Sequence, residues 1–379
     1  MQEGDGSCLI TFAITPAHWR RSLPPWVYVP AVFTWTGLST LLLVALIDGV
    51  MPRDTKQRSI KNASLALIPV WLGAVFSVGL YMILAWQIGK GDMSFMAMLG
   101  GALSASWLGV IIGVPTTHEL YHKQGTLMKF VGTYCQVIYL DATRNIAHMV
   151  GHHLDVGTPD DCDTAARGET LYSFAPYAVY ESTKTAWRLE SEALVKRGYG
   201  RWSIHHQLWK GIIALTIFAL ALYVLGGLAA LAFGLGGAAA ARLWVETFNY
   251  FQHYGQVRVA GKPIGRRHVW NHLHPISRVV AFEITNHADH HLDAYIPFYR
   301  LKPDTSAVVL PNVFVCFLTA LIPPIWHRMI IMPALKEWDL NFASAEEQEL
   351  AREQNRKAGW PDWFAERESN PSQAQMSGV

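Results

Sequence analysis

The chain has 379 residues, of which 51% are hydrophobic and only 16% are charged, whereas charged residues make up roughly 25% of ordinary soluble domains. The formal net charge is +2 and the basic residues form no stripe, which excludes nucleic acid as a partner. The cysteines Cys8, Cys135, Cys162 and Cys316 are far apart and form no CxxC pair, which argues against a zinc ribbon, an iron–sulfur site and a disulfide framework.

Long uncharged runs follow in chain order and predict an all-α polytopic membrane protein with five to six transmembrane helices, because about 20 apolar residues cross a bilayer. The predicted spans lie near residues 23–47, 65–86, 94–117, 126–147 in part, 211–225 and 228–245. They define a membrane domain over residues 23–365. An N-terminal segment or shortened first span at 1–22 precedes it, and a disordered tail at 366–379 follows it.

Two local features set the predicted topology. Gly226 and Gly227 divide the uncharged run 211–241 near its middle, which favours a hairpin of two helices over one long rod. The loop at 53–61 is basic, and basic loops next to a span are usually cytoplasmic. The chain therefore returns to the cytoplasmic face after the run that ends at residue 117.

Histidines are concentrated in four boxes near the ends of these runs. Box 1 is His118 and His122, box 2 is His148, His152 and His153, box 3 is His253, and box 4 is His287, His290 and His291. Because residues three or four apart share a helix face, we expect His148 and His152 to point together, with His153 one step round the helix. Neutral imidazole is a common metal ligand, and nine imidazoles exceed the four ligands of one tetrahedral metal. The boxes therefore predict two metal ions at one face of a membrane.

Two other functions fit part of this pattern. HELYH (118–122) matches the H-E-x-x-H motif of zinc metalloproteases, in which the glutamate is the general base, but such an enzyme needs only three protein ligands. A metal transporter would hold its ion near the bilayer midplane, whereas these boxes lie near helix ends. The pattern favours a redox-active metal pair that hydroxylates or desaturates an apolar substrate.

Polar residues close to the boxes are candidates for hydrogen bonds to the metal-binding imidazoles, since such partners orient the rings. The candidates are Glu119, Asp155, Asp163, His272 and Asn286. Asp160 and Asp161 belong to the same acidic stretch after box 2. A solvated acidic loop is an equally good explanation for the aspartates.

The four boxes resemble those of the integral-membrane non-haem di-iron hydroxylases, the family of alkane hydroxylases and xylene monooxygenases. The resemblance rests on HELYHK (118–123), NIAHMVGHHLDVGTPDDCDTAARGETLYSF (145–174), NYFQHYG (249–255) and NHADHHLDAY (286–295). NYFQHYG is a feature of the hydroxylases that the related fatty-acid desaturases lack. FEITNHADHH (282–291), FVCFLTALIPPIW (314–326) and KAGWPDW (357–363) look closest to the hydroxylase components of xylene and p-cymene monooxygenases.

The resemblance implies a monooxygenase that uses O₂ and two iron ions to hydroxylate a methyl group on an aromatic ring, as in xylene, toluene or p-cymene. The implied iron ligands are His118, His122, His148, His152, His153, His253, His287, His290 and His291. Electrons would come from a separate NADH-dependent reductase with flavin and a [2Fe–2S] centre, of the ferredoxin-reductase type, or from a rubredoxin-like donor. The implied location is the bacterial inner membrane, with the site facing the cytoplasm. Terminal hydroxylation of alkanes, and hydroxylation or desaturation of fatty-acyl chains, are alternatives within the same superfamily.

Overall fold

The computed structural model describes residues 34–58 and 60–369. Every regular element in these ranges is helical, and their β-pairing is an isolated bridge between Asn271 and Val309, so the predicted all-α class is confirmed. The α-helices of eight or more residues are Thr36–Val50, Ala63–Gly89, Phe95–Tyr121, Thr126–Tyr134, Leu171–Lys196, Gln207–Gln252, Val313–Ala320, Met332–Asn341 and Ala345–Ala358. The shorter helical pieces are Cys135–Tyr139, Arg144–Ile146, Ala147–His152, His153–Asp155, Arg266–His268, Pro275–Val280, His287–Leu292, Phe298–Arg300, Pro323–Ile325, Trp326–Ile331 and Trp363–Ser369.

Among the described residues, the helices long and apolar enough to cross a membrane are Ala63–Gly89, Phe95–Tyr121 and Gln207–Gln252. The first two have 27 residues each, or about 40 Å at 1.5 Å per residue, which exceeds the ~30 Å hydrocarbon core of a bilayer. The side chains of Asn62 and Ser94 accept hydrogen bonds from backbone N–H groups in their first turns, so each helix begins at a polar cap. These helices contain the predicted spans 65–86 and 94–117.

The helix Gln207–Gln252, called the hairpin helix below, turns back on itself at Gly226 and Gly227. Gly227 has a φ of +70°, a left-handed conformation that glycine adopts without strain. Leu222 and Gly234 would lie about 18 Å apart along an unbroken helix. A Cβ atom built at Gly234 would nevertheless be 2.7 Å from Cδ1 of Leu222. The element therefore consists of two arms packed against each other.

The stretch 126–147, predicted as a partial span, is not one continuous helix. In its place are the helix Thr126–Tyr134, the 3₁₀-helix Cys135–Tyr139 and the turn that leads to box 2. The physical reason is that Asp141 and Arg144 are buried in ion pairs within the protein. A lipid-facing helix would instead expose these charged side chains to hydrocarbon.

Both ends of the chain extend beyond the described residues. Of the predicted span 23–47, the described part is helical from Thr36, and the segment 1–22 lies outside the described residues. The first four residues of the predicted tail, 366–369, complete the helix Trp363–Ser369. This helix buries Trp363 and Phe364. These buried side chains hold residues 366–369 in a helix, which the polar composition of the tail did not predict. The tail from 370 lies outside the described residues.

The C-terminal helices hold the loop that follows box 2. The guanidinium of Arg167 donates two hydrogen bonds to the carboxylate of Asp339, at 2.6 and 2.7 Å, and a third to Oδ1 of Asn355 at 2.8 Å. Both charged side chains are fully buried, so this geometry must compensate for the cost of removing two charges from water. The loop between box 2 and the helix Leu171–Lys196 is thereby fixed against the core.

Candidate metal centre

Box 1 occupies the last turn of the helix Phe95–Tyr121. His118 lies within the helix and His122 caps it, so their four-residue spacing places both imidazoles on one face. Their ring centroids are 4.5 Å apart, and both side chains are buried. Box 1 therefore lies on the helix itself and presents two adjacent imidazoles.

Box 2 lies on a π-helix, Ala147–His152, in which backbone hydrogen bonds reach five residues back. The N–H of His153 donates to the C=O of His148 in this pattern, which places the two side chains on one face with their Nε2 atoms 3.2 Å apart. His152 points instead towards His253, with ring centroids 4.6 Å apart. The rings of His148 and His152, which α-helical spacing was expected to bring together, are stacked with centroids 5.0 Å apart. The π-helix nevertheless makes Nε2 of His153 the neighbour of Nε2 of His148.

Boxes 3 and 4 meet at the end of the hairpin helix. Nε2 of His287 lies 3.0 Å from Nε2 of His253 and 3.1 Å from Nε2 of His291. His290 points the other way, and its ring centroid is 4.6 Å from that of His118 in box 1. Box 4 therefore contributes histidines to two separate groups of imidazoles, as box 2 does.

The nine box histidines form two groups. The five-histidine group is His118, His122, His148, His153 and His290, and the four-histidine group is His152, His253, His287 and His291. Within each group, one nitrogen from every residue lies within 4.8 Å of the others. His153 is partly exposed and the remaining eight are buried. Because boxes 2 and 4 supply both groups, the two candidate sites are neighbours.

The spacing of the nitrogens suits a metal ion in each group. Two imidazole nitrogens bound at about 2.1 Å and at right angles around one ion are about 3.0 Å apart. Nε2 of His148 lies 3.1 and 3.2 Å from two other Nε2 atoms of the five-histidine group. Nε2 of His287 has the corresponding distances of 3.0 and 3.1 Å in the four-histidine group.

The protonation state also suits a metal. Burial lowers the pKa of His287 to about 3, and burial together with neighbouring histidines lowers the pKa values of His290 and His291 well below 6.5. These rings are therefore neutral at physiological pH, the form that binds metals. Both ring nitrogens of His122 are buried without a hydrogen-bond partner among the described residues, which is costly unless a ligand occupies the site.

A carboxylate orients one of the imidazoles. Oδ2 of Asp161 lies 3.0 Å from Nδ1 of His152, so Nδ1 donates to Asp161 and Nε2 is left to face the four-histidine group. The carboxylate is itself held by the hydroxyl of Thr164, at 2.6 Å, and by the N–H of Asp163, at 3.0 Å. In box 4, Nδ1 of His287 lies 3.2 Å from the carbonyl oxygen of Ile284, which serves the same purpose.

Glu119, the general base of the metalloprotease alternative, is engaged elsewhere. Its carboxylate pairs with the ammonium of Lys123, at 2.5 Å, and accepts a hydrogen bond from the N–H of Phe298, at 3.4 Å. The ion pair ties the end of box 1 to the following turn. Glu119 therefore stabilises the polypeptide around the box.

The other predicted partners contact groups outside the two histidine groups. Asp163 pairs with a guanidinium at 3.3 Å, and the carbonyl of Asp155 accepts from the N–H of the residue three positions later. Nε2 of His272 lies 2.9 Å from the amide oxygen of Gln252, the neighbour of box 3. Asn286 donates to a nearby glutamate at 2.7 Å and occupies the N-cap position of the helix of box 4 without a side-chain hydrogen bond to that helix. Within the acidic stretch after box 2, the aspartate that contacts a box histidine is Asp161, which differs from the named candidates Asp155 and Asp163.

A buried charge cluster beside box 2 was not predicted. Its members are Asp141, Arg144, Asp163, Arg242 and Glu246. Nη1 of Arg144 lies 3.2 Å from the carboxylate of Glu246, and Nε of Arg242 lies 3.0 Å from it. The sequence signal was the spacing of Arg242 and Glu246, which interrupt an apolar run four residues apart and can pair on one helix face. The cluster joins the turn before box 2 to the second arm of the hairpin helix.

A cavity of about 30 Å³ borders both histidine groups. On the hairpin helix its lining residues are Val245, Phe248, Asn249 and Gln252, whose spacing of three and four residues places them on one helix face. Val114 and Ile284 add further apolar surface, and imidazoles of both groups line the cavity. Small-molecule sites combine such an apolar wall with a few polar groups.

Comparisons with known proteins agree with this geometry. Residues 93–312 match the family described as fatty acid desaturase. The xylene/toluene monooxygenase hydroxylase component of Pseudomonas putida is 36% identical over 339 residues, which cover 89% of this chain and 92% of that protein. Alkane 1-monooxygenase 1 of Pseudomonas aeruginosa is 29% identical over 78% of this chain and 76% of that protein. Alkane 1-monooxygenase of Ectopseudomonas oleovorans is 30% identical over 78% of this chain and 74% of that protein.

Proposed function

This chain belongs to the fatty acid desaturase family, as a membrane hydroxylase with monooxygenase relatives along most of its length, and we propose that it hydroxylates the methyl group of an alkyl-aromatic hydrocarbon. Xylene, toluene and p-cymene are the substrates of this type, and O₂ is the co-substrate. The 36% identity to a xylene/toluene monooxygenase component supports the aromatic substrate.

The observation that carries the proposal is the pair of histidine groups beside one apolar cavity. We assign one iron ion to the five-histidine group and one to the four-histidine group. When bound, the two ions would supply the activation of O₂ and of the substrate C–H bond. Zinc and copper also suit imidazole, so the choice of iron rests on the family.

The protein's own residues prepare the site for this chemistry. Burial keeps the imidazoles of His287, His290 and His291 neutral and able to bind metal. Asp161 fixes the orientation of His152. The apolar wall that includes Val245 and Phe248 excludes water and accepts a hydrocarbon. The substrate is thereby held next to the metals in a site where side reactions with water are suppressed.

The lack of a cysteine motif for an iron–sulfur centre in this sequence agrees with an external source of electrons. We propose a separate NADH-dependent reductase with flavin and a [2Fe–2S] centre as the donor, with a rubredoxin-like protein as the alternative. We place the protein in the bacterial inner membrane with the histidine groups facing the cytoplasm. The basic loop at 53–61 supports that orientation.

Terminal hydroxylation of alkanes is the second candidate, because several relatives at 28–30% identity are alkane 1-monooxygenases. Desaturation of a fatty-acyl chain has the support of the family match alone. The zinc protease alternative is disfavoured, because Glu119 is paired with Lys123 and the HELYH histidines are part of a group of five.

The test combines metal analysis with turnover. The purified protein should contain about two irons per chain, and membranes supplied with a reductase, NADH and O₂ should convert p-xylene to its benzylic alcohol. p-Cymene and octane in parallel assays distinguish the aromatic from the alkane proposal. One zinc per chain without oxygenation would refute both.

A further inference from the structure

Phe248 occupies a distinctive position in the wall of the cavity. Val114, Val245 and Ile284 line it with aliphatic groups, whereas Phe248 contributes an aromatic ring that carries no polar group. The other aromatic rings of the lining include Tyr139, whose hydroxyl is hydrogen-bonded to Thr117 at 3.0 Å. Phe248 is therefore suited to apolar ring–ring contact with a bound molecule.

The ring of Phe248 is held in place from behind. It packs edge-on against Phe251, with centroids 5.4 Å apart and planes at 73°, and nearly parallel to Phe317 at 6.3 Å. Phe317 is in turn in edge contact with Trp107 at 5.2 Å. Rings packed in this way have few alternative positions, so Phe248 presents a fixed surface to the cavity.

The position along the helix relates this surface to the metals. Phe248 precedes His253 by five residues on the hairpin helix, a rise of about 7.5 Å. Gln252 lies between them on the same cavity-lining face. A molecule that contacts Phe248 and extends along this face would bring its far end to the four-histidine group.

We infer that Phe248 is a specificity-determining residue that selects an aromatic ring over a linear alkane, by edge-to-face or offset ring contact that directs a ring methyl group towards the histidine groups. The inference rests on the proposed function and adds to it the residue that chooses the substrate class. Aromatic pairs contribute about 0.5–1.5 kcal/mol beyond the burial of area, or about 2- to 10-fold in affinity at 1.4 kcal/mol per tenfold. A linear alkane gains the free energy of burying apolar area, but not the additional free energy of ring–ring contact.

The experiment compares Phe248→Leu and Phe248→Tyr with wild type, and Phe233→Leu serves as the matched control. Phe233 lies on the second arm of the same helix but packs against Phe95, with centroids 5.5 Å apart. Membranes with reductase, NADH and O₂ receive p-xylene and octane together, and the ratio of the two kcat/KM values is measured. Phe248→Leu should lower the xylene-to-octane ratio about 2- to 10-fold, mainly through KM for p-xylene, whereas Phe248→Tyr and Phe233→Leu should leave it within twofold.

A binding measurement makes the test independent of turnover. Chelator-treated protein in detergent is titrated with p-xylene and with octane, and the shift in unfolding temperature is recorded. Phe248→Leu should shrink the response to p-xylene and preserve that to octane. An unchanged xylene-to-octane ratio in turnover, or an equal loss for both hydrocarbons in binding, would overturn the inference. If wild type oxidises neither hydrocarbon, the proposed function is wrong. In that case the binding measurement still tests the inference, which is overturned if Phe248→Leu responds to p-xylene as wild type does.

Discussion

Replacing Asp161 by alanine should weaken one of the two proposed iron sites and spare the other. Asp161 accepts a hydrogen bond from Nδ1 of His152 at 3.0 Å, and His152 belongs to the four-histidine group. Without the carboxylate, the imidazole loses the partner that fixes its tautomer and its orientation. The five-histidine group contains no residue that contacts Asp161 in the described hydrogen bonds.

The expected size of the effect follows from the burial of this contact. The side chains of His152 and Asp161 are 4% and 1% exposed, so water cannot replace the missing partner. A hydrogen bond to a charged group contributes about 1.5–3 kcal/mol, which corresponds to about 10- to 150-fold in affinity. Loss of an outer partner of a metal-bound histidine costs about 10- to 100-fold in affinity or activity. We therefore expect iron affinity at this site to fall about 10- to 100-fold.

The assay is removal of iron from the purified protein by a graded series of chelators. Wild type should release two irons at high chelator concentration, whereas Asp161→Ala should release one at a concentration 10- to 100-fold lower. Asp161→Asn keeps an acceptor without the charge and should give an intermediate value. Asp160→Ala is the matched control, because Asp160 is an exposed neighbour. If both irons of Asp161→Ala leave as they do in wild type, the assigned role of Asp161 is refuted.

Three further predictions concern the groups and their scaffold. His290→Ala should lower the iron content to about one per chain by metal analysis, because His290 belongs only to the five-histidine group; retention of two irons would contradict the assignment. Gly226→Ala should destabilise the fold by about 1–3 kcal/mol, because the added methyl group overpacks against the carbonyl of Ala85. The measurement is the unfolding temperature, which should fall. An unchanged unfolding temperature would contradict the close packing at the hairpin turn. Burial opposes ionisation of Glu347, but the hydrogen bond from His268 and its other donors lower the pKa of Glu347 from 4.5 to about 2. The stabilisation is therefore present above pH 4.5 and lost as pH falls towards 2. Thermal unfolding of Glu347→Gln should lack that part of the pH dependence, and identical profiles for variant and wild type would contradict it.

Much of the fold could be predicted because local sequence determines it. Uncharged runs of span length became the helices Ala63–Gly89 and Phe95–Tyr121, and adjacent glycines at 226 and 227 became the hairpin turn. The sequence could not show how residues 126–147 fold, because their charged side chains find partners far away in the chain. Arg144 pairs with Glu246, 102 residues later, and no local pattern contains that information.

The membership of the histidine set could be predicted, but not its division into two groups. All nine histidines of the boxes are part of the two groups. Repeated helical spacing of imidazoles singled out boxes 1, 2 and 4, and the lone His253 was assigned as a ligand through the family resemblance. The partner of His152 could be narrowed to an acidic stretch and no further. The choice of Asp161 over Asp155 depends on a loop that Arg167 holds against the C-terminal helices, a tertiary contact that spacing does not reveal.

The π-helix of box 2 explains how a single short motif can serve two metals. On an α-helix, His148 and His152 would share a face and His153 would point about 100° away. The five-residue hydrogen bond from His153 to His148 instead joins these two in the five-histidine group and releases His152 to the other group. π-Helical turns are rare and are frequently found at functional sites. Here the turn places the adjacent residues His152 and His153 in different groups, so the two candidate sites are held side by side by one stretch of backbone.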